Sequence, residues 1–204
     1  MNSYYQKIIR LWAGNLAQDM KGNKEDNQAV MAYGLFVILF NTAAALVTVL
    51  VGAVLGIFSA TALTFLTSGS LRLFTGGYHC SSPIKCLLLT IGIFNVLGLC
   101  SVFLTDYLGT NLVIGLVLIT MVLSFLFILK FAPLEAPNKP IKPALKPGLR
   151  KMGLGVWFFW AVVLIILMVL NLNDNKQTIL AIQLGIAYQT FSILSLLKNK
   201  NQGG

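Results

Sequence analysis

Uninterrupted apolar runs constrain this chain more than any other feature of its sequence. The longest covers residues 29–71, and further runs lie at about 84–104, 110–129, 153–172 and 178–197. A run of roughly 18 or more apolar residues is typical of a helix that crosses a membrane. Only 10% of the 204 residues are charged, whereas soluble domains carry about 25%. The sequence therefore predicts an all-α, polytopic membrane protein.

The run at 29–71 is too long for one crossing, because a helix rises about 1.5 Å per residue and the apolar core of a bilayer is roughly 30 Å thick. We expect two helices here, joined by a tight turn near Gly52 to Gly56. With the four later runs, this predicts six transmembrane helices within a membrane domain that covers residues 29–204.

The positions of the basic residues predict the orientation. If the N-terminus is cytoplasmic, 14 of the 15 Lys and Arg residues fall on the cytoplasmic side and only Lys176 lies outside. This follows the tendency of basic residues to stay inside, and it supports a helical hairpin at 29–71. We expect a cell-membrane protein with both termini in the cytoplasm. The net charge of +9 then faces lipid headgroups, and we expect no nucleic-acid partner.

Two segments outside the apolar runs have a distinctive composition: the N-terminal residues 1–28 and the connection at 130–152. Residues 1–28 place Tyr5, Ile8, Ile9, Trp12 and Leu16 on one helical face, which is the pattern of an amphipathic helix in the membrane interface. An ordinary cytoplasmic helix packed on the bundle fits the same pattern. Residues 130–152 are rich in proline and lysine, so we expect an extended cytoplasmic loop. Its Lys139 and Lys142 either meet acidic partners or lipid headgroups, or are simply solvated.

The stretch at 72–86 carries the chemistry. His79 is the only histidine in the chain, and Cys86 follows seven residues later. Ser82 and Pro83 read as the N-cap and first position of a helix, which places Cys86 near the positive end of the helix dipole, where a thiolate is favoured. His79 precedes that helix, where it could take the thiol proton.

Several neighbours of this pair add to the prediction. Arg72 and Lys85 supply positive charge near the thiol, and the Gly76–Gly77 pair permits a close approach to a substrate. The alternatives are that the histidine and cysteine only pack, or that Arg72 only extends from a helix end to the interface. A metal site would need a fourth strong ligand beyond His79, Cys80 and Cys86. We expect no metal ion and no cofactor.

The pattern Arg72-x3-Gly76-Gly77-x-His79-x6-Cys86 resembles the signature of the accessory gene regulator protein B (AgrB) family. The later Ala-Pro-Leu-Glu-Ala-Pro-Asn-Lys-Pro, at 132–140, is similar to the Pro/Lys-rich cytoplasmic loop of that family. The length, the six-span layout and the orientation also agree over the whole chain. Proteins of this family are membrane-embedded cysteine endopeptidases of Gram-positive quorum sensing.

The resemblance implies a substrate, a reaction and a partner. The substrate is an AgrD-like propeptide with an amphipathic N-terminal helix and an acidic C-terminal tail. Cys86 attacks the carbonyl before the tail, with His79 as the base and then the acid. The resulting thioester is exchanged for a cyclic thiolactone or lactone. Arg72, Gly76 and Gly77 support the site, and the family generally works as a homodimer. Cys80 departs from the small apolar residue expected there, which leaves the choice of nucleophile open.

Two other classes of function remain on the sequence alone. A transporter or exporter of a small solute or peptide would usually place ionisable groups inside its spans or show matched halves. Here the Lys, Arg, Asp and Glu residues lie at span ends or in loops, and we find no internal repeat. A non-catalytic membrane scaffold would show no unusual thiol reactivity.

Overall fold

The computed structural model describes residues 11–14, 23–77, 82–134 and 141–202, with side chains in the last helix up to Ile193. The chain divides into two compact units, Met1–Val47 and Thr48–Gly204. Within the described ranges the fold is helical throughout, as predicted. The helices are α1 (Lys24–Val54), α2 (Phe58–Thr75), α3 (Pro83–Tyr107), α4 (Thr110–Phe131) and α5 (Lys146–Gln202), with a 3-10 turn at Pro143–Leu145.

The long apolar run at 29–71 breaks into two helices, as its length required. The break lies at residues 55–57, and Gly56 adopts a positive φ of 74° that favours glycine. The Ile57 amide donates to the Gly52 carbonyl across the turn at 2.8 Å. The predicted position of the turn is therefore confirmed, although α1 begins at Lys24 and α2 continues to Thr75.

The last two apolar runs are joined by a kink instead of the expected loop at 173–177. Only Asn171 leaves helical geometry inside α5, with φ −169° and ψ 102°. Side-chain amides replace the interrupted helical bonds: Asn175 Nδ2 donates to the carbonyls of Asn171 at 2.8 Å and Leu167 at 3.3 Å. We refer to residues 146–170 as the N-terminal arm of α5 and to 172–202 as its C-terminal arm.

Four described helices are long and apolar enough to cross a membrane: Asp26–Val54, Pro83–Tyr107, Thr110–Phe131 and Pro143–Ile193. The last of these contains 51 residues, which is more than two crossings need at about 20 residues each, and the kink divides it. These long apolar helices are typical of a membrane protein. The count of six crossings stays a prediction.

The core of the second unit forms where α2 and both arms of α5 pack together with α3 and α4. Its apolar centre includes Leu71, Val117, Leu164, Ile182 and Ile186. The buried face of α2 is otherwise hydroxylated, and its buried residues are Ala60, Thr61, Thr64, Thr67, Ser68, Leu71 and Thr75. Hydroxyls of this kind bond the preceding helical turn, as Thr75 Oγ1 does to the Leu71 carbonyl at 2.9 Å. They allow close contact between helices that are otherwise apolar.

The two segments outside the apolar runs are described only in part. Near the N-terminus, residues 11–14 are helical, with Trp12 exposed and Ala13 buried. The proline-rich connection is shorter than the expected loop at 130–152, because α4 continues to Phe131 and α5 begins at Lys146. Pro147 lies in the first turn of α5, where its missing N–H leaves no helical bond unmade.

Candidate active site

The C-terminal end of α2 carries the first part of the predicted site. Arg72 lies in its last turn and is half-buried, and its carbonyl accepts the Gly76 amide at 3.1 Å. Gly76 ends the helix with φ 75° and ψ −169°, a region that is open to glycine almost alone. This glycine therefore ends α2 and turns the chain sharply out of the helix.

The proline-rich connection pairs with this turn. The Leu134 amide donates to the Thr75 carbonyl at 3.0 Å, and Leu134 and Gly76 form an isolated parallel bridge. The approach is so close that a Cβ at Gly76 would overlap the Leu134 carbonyl oxygen. Arg150, in the first turns of α5, also binds this connection: its Nε donates to the Ala132 carbonyl at 2.7 Å. The C-terminal end of α2 and the proline-rich connection, which are far apart in the sequence, are therefore in contact.

Gln189, on the C-terminal arm of α5, holds the same turn from the other side. Its Nε2 donates to the Gly76 carbonyl at 2.6 Å and lies 3.0 Å from Thr75 Oγ1. The Gln189 side chain is only 2% exposed, and Thr75 is fully buried. A hydrogen bond shielded from water in this way fixes geometry more firmly than an exposed one.

Gly77 is buried beside two polar side chains. A Cβ added at Gly77 would lie 3.1 Å from Ser192 Oγ and 3.3 Å from Arg72 Nε. Arg72, Gly76 and Gly77 are therefore brought together at the end of α2. Ser192 joins them from the last helix.

Cys86 lies in the first turn of α3, as expected. Ser82 is the N-cap, with extended geometry, and Pro83 is at the start of the helix. The Cys86 amide makes an early helical bond to the Ser82 carbonyl at 3.1 Å, and the thiol is free and half-buried. The Ser82 side chain makes no capping bond, so it does not satisfy the first amides of the helix, which carry its positive dipole.

The remaining predicted residues are placed less closely or lie outside the described ranges. Lys85 is exposed on α3, and Lys142 is exposed just before the 3-10 turn. His79, Cys80 and Lys139 lie outside the described residues. Cys100 is a free, half-buried thiol within α3. No cluster of metal-ligating side chains occurs among the residues that the structure describes.

Gln189 and Ser192 were not anticipated from the sequence. A signal was present, because Gln183 and Gln189 stand in an otherwise apolar run, and polar side chains within a membrane span usually have a functional or structural partner. The partner of Gln189 is more than one hundred residues away, at Thr75 and Gly76, and no local pattern connects them.

Comparison with known proteins identifies the family. The family model described as accessory gene regulator B matches residues 9–193, which is most of the chain. This chain belongs to the AgrB family. The match includes the turn at Gly76, the start of α3 and the Gln189 position. The AgrB family is implicated in accessory gene regulator quorum sensing, and the resemblance read from residues 72–86 and 132–140 is confirmed.

Relatives of similar length support the assignment. A putative AgrB-like protein of Clostridium perfringens (strain SM101) is 29% identical over 92% of this chain and 90% of its own. A putative AgrB-like protein 2 of C. perfringens strain 13 is 24% identical over the same shares. An accessory gene regulator protein B of Staphylococcus intermedius is 25% identical over 83% of both chains. No solved structure matches significantly.

Proposed function

We propose that this protein is a membrane-embedded cysteine endopeptidase that removes the C-terminal tail of an AgrD-like propeptide and assists its cyclisation. The observation that carries the proposal is the assembly at the end of α2. Leu134 and Gln189 hold Thr75 and Gly76, and Arg72 lies beside Gly77, two residues before His79 in the sequence. Cys86 then stands on the first turn of the next helix. Rigid support on the approach to a nucleophile and its base is what covalent catalysis requires.

The proposed reaction begins at the thiol of Cys86. His79 takes the proton from Sγ as the thiolate attacks the peptide carbonyl that precedes the tail. The uncapped first-turn amides of α3 point along the helix axis and would stabilise the developing oxyanion. The C–N bond then breaks, His79 returns the proton to the leaving amine, and the remaining peptide is held on Cys86 as a thioester.

The second half of the reaction exchanges one acyl acceptor for another. A cysteine or serine within the bound peptide gives its proton to His79 and attacks the thioester carbonyl, the C–S bond to Cys86 breaks, Cys86 leaves as the thiolate, and a cyclic thiolactone or lactone is released. Transfer between two thiols conserves the bond type, so little energy is lost. Water would compete for the thioester, and a site at the boundary of the apolar bundle limits its access.

We further propose six crossings with both termini and the active site on the cytoplasmic side, in a homodimer in the cell membrane of a Gram-positive bacterium. Contacts at the two ends of the second unit support this arrangement. Thr110 Oγ1 donates to Asn173 Oδ1 at 3.1 Å; Thr110 begins the expected span 110–129 at its outer end, and Asn173 belongs to the expected outer connection at 173–177. Thr75 and Leu134, from expected inner connections, meet elsewhere.

Transport of a small solute or peptide is the second candidate, and buried polar groups favour it. Thr67 Oγ1, Ser68 Oγ and Gln183 Oε1 are buried without hydrogen-bond partners among the described residues. The same face of α2 is closely packed, however. A Cβ at Gly185 would meet the Thr64 carbonyl oxygen at 2.7 Å. Helix contact therefore accounts for this polar face, and the endopeptidase remains the better-supported function.

Tail removal by paired cysteine variants tests the proposal. The protein and its cognate AgrD-like propeptide are co-expressed, and tail release is followed by mass. Cys86→Ala is expected to abolish release, while Cys100→Ala, a matched change deeper in the same helix, leaves it unchanged. Normal tail release by Cys86→Ala would contradict the proposal. Transport by the purified protein in liposomes would then be the function to test next.

A further inference from the structure

A groove opens between the last two turns of α2 and the N-terminal arm of α5. Its volume of about 360 Å³ is within the range of sites that bind small molecules, and its lining is almost wholly apolar. Gly155 creates the opening, because a Cβ added there meets nothing within 4 Å. We call this feature the α2–α5 groove, and its lining includes Ser70, Phe74, Met152, Gly155, Phe159 and Trp160.

The polar side chains of the groove are already bonded to the protein. Trp160 Nε1 donates to Ser70 Oγ at 2.9 Å, and Ser70 Oγ donates to the Thr67 carbonyl at 3.0 Å. The indole has no other donor and the hydroxyl has no other proton, so the lining offers a ligand no side-chain donor. A peptide backbone in this place would leave its carbonyls unpaired, which is costly. The groove therefore favours a hydrocarbon chain.

The two walls of the groove are in contact, which limits the width of what can enter. The bond between Trp160 and Ser70 joins them, and a Cβ at Gly153 of α5 would lie 3.0 Å from Thr75 Cγ2 on α2. Packed helices have axes about 8–10 Å apart, whereas a helix with its side chains is roughly 10–12 Å wide. A third helix cannot enter between walls that touch, but a single acyl chain can.

The groove begins at a strongly basic end of these helices. Its lining runs along α5 from Met152 to Trp160, about 12 Å at 1.5 Å per residue. Lys151 is exposed and precedes Gly155 by four residues, so the two lie one turn apart on the same face. Four basic residues fall between positions 142 and 151, and no Asp or Glu occurs between 136 and 173. Basic clusters beside a membrane span attract anionic lipids.

We propose that the α2–α5 groove binds one acyl chain of an anionic phospholipid, whose headgroup phosphate lies beside Lys151. The chain runs from Met152 toward Trp160 and covers the edge of Phe159, which is 59% exposed. Every acyl chain around the protein is equally apolar, so packing in the groove and the charge of the headgroup select this lipid. The site is separate from the proposed reaction, because its lining includes no residue assigned to catalysis.

Quenching of Trp160 fluorescence by brominated lipids tests the inference. Trp12→Phe and Trp157→Phe leave Trp160 as the only tryptophan, and a companion protein keeps Trp157 alone. Each full-length protein is placed in phosphatidylcholine liposomes with increasing fractions of brominated phosphatidylglycerol or, in a parallel series, brominated phosphatidylcholine. Trp157 is the internal comparison, because it packs on Phe125 of α4 with 4.9 Å between ring centroids and is more exposed than Trp160, which is 9% exposed.

A bilayer that only surrounds the helices should quench the more exposed Trp157 at least as strongly as Trp160. We expect the opposite order, with brominated phosphatidylglycerol acting on Trp160 at lower fractions than brominated phosphatidylcholine. Lys151→Gln should raise the fraction of brominated phosphatidylglycerol needed for half-maximal quenching about fivefold, as expected for the loss of one cation near the headgroup. Lys176→Gln, near the kink of α5, should leave that fraction unchanged.

Filling the groove provides a second measurement. Gly155→Leu places its side chain in open space, so the fold should be retained, and the new side chain should remove most of the quenching of Trp160. Gly92→Leu is the matched control, since a Cβ at Gly92 of α3 also meets nothing within 4 Å and Gly92 does not line the groove. Thermal unfolding of both variants checks that the helices remain folded.

Four results would overturn the inference. Equal quenching of Trp160 by the two brominated lipids would show that the headgroup charge is unimportant. Weaker quenching of Trp160 than of Trp157, or unchanged quenching in Gly155→Leu, would show that no acyl chain enters the groove. Quenching that increases as the protein is diluted in lipid would show that a second copy of the chain covers the groove instead. These measurements need no propeptide, so they do not depend on the proposed endopeptidase activity.

Discussion

The Leu134 amide donates a hydrogen bond of 3.0 Å to the Thr75 carbonyl. This bond joins the proline-rich connection between α4 and α5 to the last residue of α2, just ahead of the Gly76–Gly77 turn. The two segments on which the resemblance to the AgrB family was based are therefore in contact. A substitution in either segment should therefore alter the backbone geometry of the other.

The first prediction concerns the turn itself. Gly76→Ala should abolish most tail release and lower stability, because the backbone at φ 75° and ψ −169° costs a non-glycine residue about 1–3 kcal/mol. In addition, the new methyl group would overlap the Leu134 carbonyl oxygen. Thermal unfolding and tail release measured side by side check this expectation.

A control for that change is Gly69→Ala, within α2, where an added Cβ meets nothing within 4 Å. Alanine is the better helix former by roughly 1 kcal/mol, so this variant should be at least as stable as the wild type and equally active. Equal activity of Gly76→Ala and Gly69→Ala would show that the geometry of the turn is unimportant.

The second prediction concerns Arg150, which anchors the start of the proline-rich connection. Arg150→Met removes the bond from Nε to the Ala132 carbonyl and should reduce tail release by loosening Leu134 against Thr75. Hydrogen bonds of charged donors contribute about 1.5–3 kcal/mol. Lys151→Met is the matched control, because the neighbouring Lys151 is exposed. An equal loss of activity in both variants would show that loss of positive charge near the membrane is the cause. The hydrogen bond from Arg150 to the Ala132 carbonyl would then be unimportant for tail release.

The third prediction concerns recognition of the acidic tail. Lys142 is exposed beside the connection that pairs with the turn, and Lys139 lies on the same segment of the sequence. Changing both to Gln should raise KM for tail release with little change in kcat, and the difference from wild type should shrink at high salt. Lys176→Gln removes a charge near the kink of α5 and should have no such effect. A fall in kcat at constant KM would contradict a role in binding.

The fourth prediction concerns topology. In a cysteine-free protein, single cysteines at Leu55 and Asn173 should react with a membrane-impermeant maleimide added to intact cells. A single cysteine at Leu145 should react only after the membrane is permeabilised. All three positions are exposed: Leu55 lies in the turn between α1 and α2, Leu145 ends the 3-10 turn before α5, and Asn173 lies beside the kink within α5. Labelling of Leu145→Cys in intact cells would contradict the predicted orientation. Absence of labelling at Leu55→Cys would contradict the predicted transmembrane hairpin at 29–71.

Local signals in the sequence were sufficient to place several elements. The break between α1 and α2 follows from the length of the apolar run and from Gly56, which adopts the positive φ that the turn requires. The start of α3 follows from Ser82 and Pro83. In each case the information lies within a few residues, because caps and turns depend on local backbone geometry.

Other features depend on partners that are distant in sequence. A polar stretch at Asn171–Asn175 resembled a loop, yet its amides bond the backbone around one non-helical residue and keep α5 almost continuous. The clamp of Leu134 and Gln189 on the turn likewise joins three separate parts of the chain. Contacts of this kind are set by tertiary packing, which neither hydrophobic periodicity nor motif spacing records.

Intact-mass measurement of the protein during turnover tests the central claim most directly. The wild type, Cys80→Ala and Cys86→Ala are each mixed with the AgrD-like propeptide in liposomes and quenched in acid, which preserves thioesters. The account predicts a covalent adduct of the mass of the tail-less peptide on wild type and Cys80→Ala, and none on Cys86→Ala. An adduct that persists in Cys86→Ala and disappears in Cys80→Ala would show that Cys80 is the nucleophile and would contradict the account.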